Sequence, residues 1–86
     1  MSEHLVGVVD HWYGRIEVAS VEITGQQLSV GDTVRFVGVT TDHTETIASM
    51  QIENDAVLNA KSGDKVGIKV SDRVRTGDKV YRKTAD

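Results

Sequence analysis

Three histidines are the residues of this chain that bear first on metal binding or nucleophilic chemistry, and the chain has no cysteine. His4 lies near the start of the sequence, and His11 and His43 fall in two separate predicted loops. Because a zinc site needs at least three converging ligands, these positions predict solvated histidines instead of ligands. The absence of cysteine excludes disulfides, thiolate metal sites and cysteine nucleophiles. The sequence therefore predicts no metal site and no cofactor.

The residue types of a catalytic triad can be assembled from Ser49, His43 and Asp42. No nucleophile-elbow motif surrounds the serine. Alternation along the predicted strand also points Ser49 away from the side that holds Met50, and therefore outward. We expect from this that the chain is not an enzyme.

Two neighbouring aromatic residues, Trp12 and Tyr13, are the side chains best suited to binding. They precede Gly14 and Arg15, and residues 10–14 are predicted to form a loop. Neighbours in an extended chain point in opposite directions, so one ring can close the end of the fold while the other stays exposed. The alternative is a stacking or pocket-filling surface for a protein or a single-stranded nucleic acid.

Basic residues are concentrated near the end of the chain. The net charge is −3, yet residues 1–60 carry a balance of −7 and residues 61–86 a balance of +4. This asymmetry predicts either two differently charged solvated faces or a basic face for an anionic partner. Asp72 and Asp78 interrupt the basic residues, so surface ion pairs are the simpler explanation. The candidate binding residues are Trp12, Tyr13, Arg15, Lys69, Arg73 and Arg75.

A short motif occurs three times: an apolar residue, two others, Gly-Asp, one residue and Val. The copies begin at Leu28, Ala60 and Val74. Glycine takes the positive φ of a tight turn, and an aspartate carboxylate accepts hydrogen bonds from nearby backbone N–H groups. The valine opens an alternating, β-branched run. Each copy therefore predicts a turn followed by a strand.

The elements that position these residues form an all-β fold of one domain, residues 1–86. A closed six-stranded barrel is favoured because closure removes exposed sheet edges.

Local features of the strands are also predicted. The apolar residues between Arg15 and Ile23 switch from even-numbered to odd-numbered positions, which predicts a β-bulge near Ala19 and Ser20. The polar composition of residues 40–44 predicts a loop, and the segment 55–60 is long enough for at most one helical turn. The predicted strands are residues 5–9, 15–23, 33–38, 46–53, 65–70 and 79–83. The predicted core is Val34, Phe36, Met50, Ile52, Val66, Ile68 and Val80.

The order of the motifs resembles the second domain of translational GTPases such as elongation factor Tu, and most of all the small stand-alone elongation-factor-like proteins. The resemblance runs from about Gly7 to Lys83. It implies a six-stranded β-barrel of the elongation-factor type that contacts ribosomal RNA or tRNA. The segments that carry it are Gly31-Asp32-Thr33-Val34, Thr40-Thr41-Asp42, Ser49-Met50-Gln51-Ile52, Gly63 to Val70 and Val74 to Tyr81.

Two departures from that family limit what the resemblance implies. The chain has no Gly-x-x-x-x-Gly-Lys-Ser/Thr loop, so we expect no GTP binding. Ser71 stands where elongation factor Tu has an arginine near its aminoacyl pocket, which argues against recognition of the aminoacylated tRNA end.

Two functions of different class stay open at this point. The first is a binding module that contacts tRNA, ribosomal RNA or the translation apparatus without a GTPase domain of its own. The second is a protein-interaction barrel that docks on a separately encoded enzyme or complex. No apolar run approaches ~18 residues, and residues 1–4 lack a signal-peptide pattern. We therefore expect a cytoplasmic protein with no membrane association.

Overall fold

The computed structural model describes residues 2–84, and every regular element in that range is a β-strand, which confirms the all-β class. No helix in this range is long and apolar enough to cross a membrane. The strands are β1 (Ser2–Tyr13), β2 (Val18–Ile23), β3 (Leu28–Ser29), β4 (Thr33–Val37), β5 (Asp42–Thr46), β6 (Met50–Ile52), β7 (Asp55–Val57), β8 (Asn59–Ala60), β9 (Lys65–Lys69) and β10 (Lys79–Thr84).

Eight strands form one antiparallel sheet in the order β5-β4-β10-β1-β2-β9-β6-β7, and β3 pairs with β8 in a separate small ladder. Over residues 2–84 the large ladder ends at β5 on one side and β7 on the other. The predicted closure into a six-stranded barrel is therefore not confirmed. The long strand β1 lies at the centre of the sheet, between β10 and β2.

The core lies on the face of the sheet that the alternating apolar residues share. Val34 and Phe36 of β4 are buried, as are Val66 and Ile68 of β9 and Val80 of β10. This confirms most of the predicted core, because side chains two apart along a strand point to the same face. Met50 is buried as predicted, and Ile52 is only partly buried but packs against the core.

The three Gly-Asp motifs form three matching turns, as predicted. Gly31, Gly63 and Gly77 have φ values of 96°, 97° and 94°. The aspartate carboxylate accepts a hydrogen bond from the backbone N–H three residues earlier in each turn. The pairs are Ser29 and Asp32 at 2.8 Å, Lys61 and Asp64 at 3.0 Å, and Arg75 and Asp78 at 2.8 Å.

The predicted loop over residues 10–14 is wrong, and the bulge predicted near Ala19 and Ser20 lies instead on the strand that pairs with them. Strand β1 continues to Tyr13, and the turn occupies residues 14–17. The register shift lies in β1, between Val9 and His11. In β2 the same parity stays buried throughout. Ile16 lies in the turn and is 58% exposed. An alternation pattern that counts Ile16 as a buried strand residue therefore indicates, wrongly, that the buried side of the strand changes.

Three further predictions about local structure are wrong. Much of the polar segment 40–44 lies in strand β5, because threonine favours strands and an edge strand tolerates polar side chains on both faces. The predicted strand 46–53 is divided between the end of β5 and β6. The segment 55–60 forms β7 and β8 in place of a helical turn.

Candidate functional site

The segment between β9 and β10 presents two arginines from a fixed backbone. Val70 and Val74 are buried and anchor it to the core. The carboxylate of Asp78 holds the N–H of Arg75, and the N–H of Arg73 donates to the side chain of Asp72 at 2.8 Å. Arg73 and Arg75 lie on either side of the fully buried Val74, and both are exposed.

Arg75 lies where three surface depressions meet. The first, of about 410 Å³, also contains Trp12, Arg73 and Thr76. The second, of about 290 Å³, is polar and extends from Arg73 to Thr40 and the start of β5. The third, of about 490 Å³, runs between residues 37–40 and residues 75–79. We call the region formed by Trp12, Thr40, Arg73, Arg75 and Thr76 the arginine surface.

The guanidinium groups of the arginine surface differ from two others in the chain. Arg35 forms a bidentate pair with Asp42, at 2.8 and 2.9 Å, which lowers the pKa of that carboxyl. Arg82 donates to the side chain of Gln26 and to a backbone carbonyl. Within residues 2–84, the side chains of Arg73 and Arg75 make no hydrogen bond or ion pair. They are thus available to a ligand.

A polar cluster borders the second depression. The Nε2 atom of His43 lies 2.7 Å from the carboxylate of Glu45, and both the backbone N–H and the hydroxyl of Ser71 donate to the same carboxylate. Partial burial acts to raise the pKa of Glu45, but the hydrogen bonds from His43 and Ser71 outweigh it and lower the pKa. The other ring nitrogen of His43, Nδ1, lies 3.9 Å from the carboxylate of Asp72. The cluster joins β5 to the segment that carries the arginines.

The two aromatic residues of the predicted site lie in different surroundings. Trp12 is half-buried, packs against the core and lines the first depression together with the arginines. Tyr13 is 49% exposed and lines a separate depression of about 330 Å³ with Ile16, Val18 and Gly67. We call this second region, Tyr13, Ile16, Val18 and Gly67, the tyrosine surface.

The remaining two predicted site residues meet at the turn between β1 and β2, where Arg15 lies in the turn and Lys69 reaches it from the end of β9. Lys69 donates from Nζ to the backbone carbonyl of Ile16 at 2.7 Å and lies 3.9 Å from the carboxylate of Glu17. Its ammonium group is therefore held by the turn. Arg15 is exposed within the same turn. Of the six predicted residues, the structure brings together only Trp12, Arg73 and Arg75.

Sequence reasoning missed several residues that line the arginine surface. Thr76 was detectable, because it occupies the third Gly-Asp turn directly after Arg75. Thr40 and Thr41 come from the loop between β4 and β5, which reaches the arginines only because β4 pairs with β10. No local signal in the sequence specifies that pairing.

The curated proteins similar to this chain are named as a protease and as collagenases. The chain is 40% identical over 77 residues to an uncharacterised protease of Methanocaldococcus jannaschii, covering 88% of this chain and 19% of that protein. It is 32% identical over 78 residues to a collagenase of Porphyromonas gingivalis, covering 90% of this chain and 22% of the collagenase. The chain thus spans about a fifth of the length of the curated relatives it matches. No protein-family profile matches the sequence.

The fold is that of a domain already solved. The C-terminal domain of a Geobacillus thermoleovorans protein described as a U32 peptidase superposes with a TM-score of 0.86 at 19% identity. The match covers 94% of this chain and 93% of that domain. A selenomethionine variant of the same domain gives a TM-score of 0.85 at 22% identity. These likenesses establish the fold.

The comparisons overturn three predictions. The resemblance to the second domain of elongation factor Tu is wrong, because the curated relatives are named a protease and collagenases and the similar solved domain comes from a described U32 peptidase. The translation-related function that contacts RNA is wrong for the same reason. The expectation that the chain is not an enzyme is contradicted by the relatives' names. Gly-Asp turns followed by alternating strands do not distinguish these families, because they satisfy the turn geometry of small β-folds in general.

Proposed function

We propose that this chain is a polypeptide-binding module that works with a peptidase of the U32 type. In the curated relatives, the stretch similar to this chain makes up about a fifth of a longer protein named as a protease or collagenase. The module holds a segment of protein at the arginine surface for such a peptidase. The proposal is related to the protein-interaction function that the sequence left open, a barrel that docks on a separately encoded enzyme, but here the bound partner is the polypeptide that the peptidase acts on.

The observation that carries the proposal is the shared depression of Trp12, Arg73 and Arg75. Tryptophan and arginine are enriched among the residues that contribute most to protein interfaces. The indole supplies apolar area that is already half-buried and fixed, and the two guanidinium groups lack partners within residues 2–84. The backbone that carries the two arginines is already held by hydrogen bonds, so ligand binding has to order only their side chains.

Immobilised denatured collagen is a suitable probe, since two curated relatives are named collagenases. We expect saturable binding of the wild-type chain in biolayer interferometry and weaker binding of Trp12→Ala. Tyr13→Ala is the matched control, because it removes the neighbouring aromatic ring from the tyrosine surface. Arg75→Ala is a second test that leaves the core packing of Trp12 intact. No binding by the wild type, or equal loss in both aromatic variants, would contradict the proposal.

We also propose that the fold closes into a barrel in which six of the eight strands of the large sheet form the ring, joined by hydrogen bonds between residues 45–49 and the end of β9. Only residues 47–49 separate β5, which pairs with β4, from β6, which pairs with β9. The carbonyl of Ser49 accepts from the N–H of Lys69 at 3.4 Å, and Glu45 accepts from Ser71 beyond the end of β9. Slow amide exchange at Lys69 and Ser71 in the wild type, accelerated in Glu45→Ala, is the expected result. Fast exchange at both amides in the wild type would contradict closure.

A further inference from the structure

We propose that the arginine surface recognises an acidic segment of a polypeptide, whose carboxylates pair with Arg73 and Arg75. This inference rests on the proposed function and specifies its ligand. Guanidinium groups bind carboxylates through two parallel N–H···O bonds, which gives both affinity and orientation. An acidic segment beside an apolar residue matches the guanidinium groups and the indole of Trp12 in the first depression.

The contrast with Arg35 supports this assignment. Arg35 already shows the bidentate geometry with a carboxylate, that of Asp42. Arg73 and Arg75 have the same side chain, and no carboxylate within residues 2–84 pairs with either of them. Asp78 is only 5% exposed and uses its carboxylate to hold the N–H of Arg75. An external carboxylate is therefore the complementary group.

The charge distribution favours a short acidic segment over a nucleic acid. The chain has a net charge of −3, and residues 1–60 have a balance of −7, which repels a long polyanion. Asp72 also lines the second depression beside Arg73. One of its oxygens accepts from the N–H of Arg73, and the other lies 3.9 Å from His43. The negative charge of Asp72 repels other carboxylates, and it therefore directs an acidic ligand toward Trp12 and away from the second depression.

A pair of fluorescein-labelled peptides tests the inference by anisotropy: one with adjacent glutamates beside a leucine, and its glutamine isostere. We expect the wild-type chain to bind the glutamate peptide about tenfold more tightly, a difference that screening by salt reduces. Arg75→Ala should abolish most of this preference. Arg75→Lys should restore only part of it, since lysine keeps the charge but loses the planar fork.

Lys61→Ala is the matched control, because Lys61 occupies the first position of a Gly-Asp turn just as Arg75 does. The control should keep the wild-type preference. Equal affinity for the two peptides, equal loss in Lys61→Ala, or displacement of the glutamate peptide by an equimolar structured RNA would overturn the inference. If denatured collagen still binds while the two peptides bind alike, only this inference fails. If denatured collagen does not bind either, the proposed function fails with it.

Discussion

The carboxylate of Asp78 accepts a 2.8 Å hydrogen bond from the backbone N–H of Arg75. The same turn is fastened to β1 by two backbone hydrogen bonds, from the N–H of Gly77 to the carbonyl of Val9 and from the N–H of Val9 to the carbonyl of Asp78, each 2.8 Å long. The backbone of Arg75 is thus tied to the centre of the sheet. This arrangement fixes the backbone position from which the side chain of Arg75 extends into the arginine surface.

Replacing Asp78 with alanine should destabilise the fold by about 1–3 kcal/mol, because a part-buried N–H loses its acceptor. Asp64→Ala removes the equivalent hydrogen bond from the turn at Lys61. That backbone N–H is exposed, so a water molecule can accept its hydrogen bond in place of the carboxylate. We expect a smaller loss for that variant. Urea denaturation of both proteins measures the difference, and equal losses would contradict the role of burial.

Gly38 and Gly77 are both needed beside the arginine surface, but for different reasons. Gly77 has a φ of 94° and open space where a Cβ would lie, so Gly77→Ala should cost about 1–3 kcal/mol from backbone strain alone. A Cβ on Gly38 would collide with the carboxylate of Asp78. Gly38→Ala should therefore destabilise the wild type and become nearly neutral in the Asp78→Ala background. A double-mutant cycle measures this coupling, and additive effects would contradict the predicted contact.

Ile68 and Ile16 provide a paired test of the core. Ile68 is 1% exposed and Ile16 is 58% exposed. Ile68→Ala should lower the free energy of unfolding by about 2–5 kcal/mol through lost burial and a residual cavity. Ile16→Ala should change it by less than about 0.5 kcal/mol, as surface substitutions usually do. Thermal or chemical unfolding of the two variants distinguishes them, and similar midpoints would contradict the assignment of faces.

Glu45 makes stability depend on pH in the acidic range. Its pKa lies below the ordinary value because the hydrogen bonds from His43 and Ser71 outweigh the effect of burial. A lowered folded-state pKa contributes stability above the unfolded-state pKa, and this contribution is lost as pH falls through the folded-state value. Glu45→Gln should therefore be less stable near pH 7 and less sensitive to pH below about 4. Glu22→Gln, at an exposed position of β2, is the control, and an unchanged acid limb in Glu45→Gln would contradict the prediction.

Much of the fold follows from the sequence because its strongest signals are local. The positive-φ glycines, the aspartates that hold each turn and the period-two alternation of β4 and β9 all act within a few residues. Strand β5 escapes sequence-based prediction because its polar composition lacks alternation of apolar and polar residues. The bulge is assigned to the wrong strand because Ile16 lies exposed in the turn and Val18 is only partly buried, whereas the register shift lies in β1.

The candidate site was predictable only in part. Arg73 and Arg75 stand out as basic residues on either side of a valine, and Trp12 as the only tryptophan of the chain. Their proximity depends on the pairing of β1 with β10, which is a long-range contact. The separation of Tyr13 from Trp12 follows from alternation, but only once both are known to lie in a strand and not in a loop.

Residue-resolved NMR tests the central claim most directly. Tryptic peptides of denatured collagen are added to the uniformly ¹⁵N-labelled chain, and amide and indole signals are followed. We predict shifts at the indole N–H of Trp12, at the amides of residues 73–76 and in the loop of residues 38–41. Absence of any shift, or shifts confined to the tyrosine surface at Tyr13, Ile16 and Gly67, would contradict binding at the arginine surface.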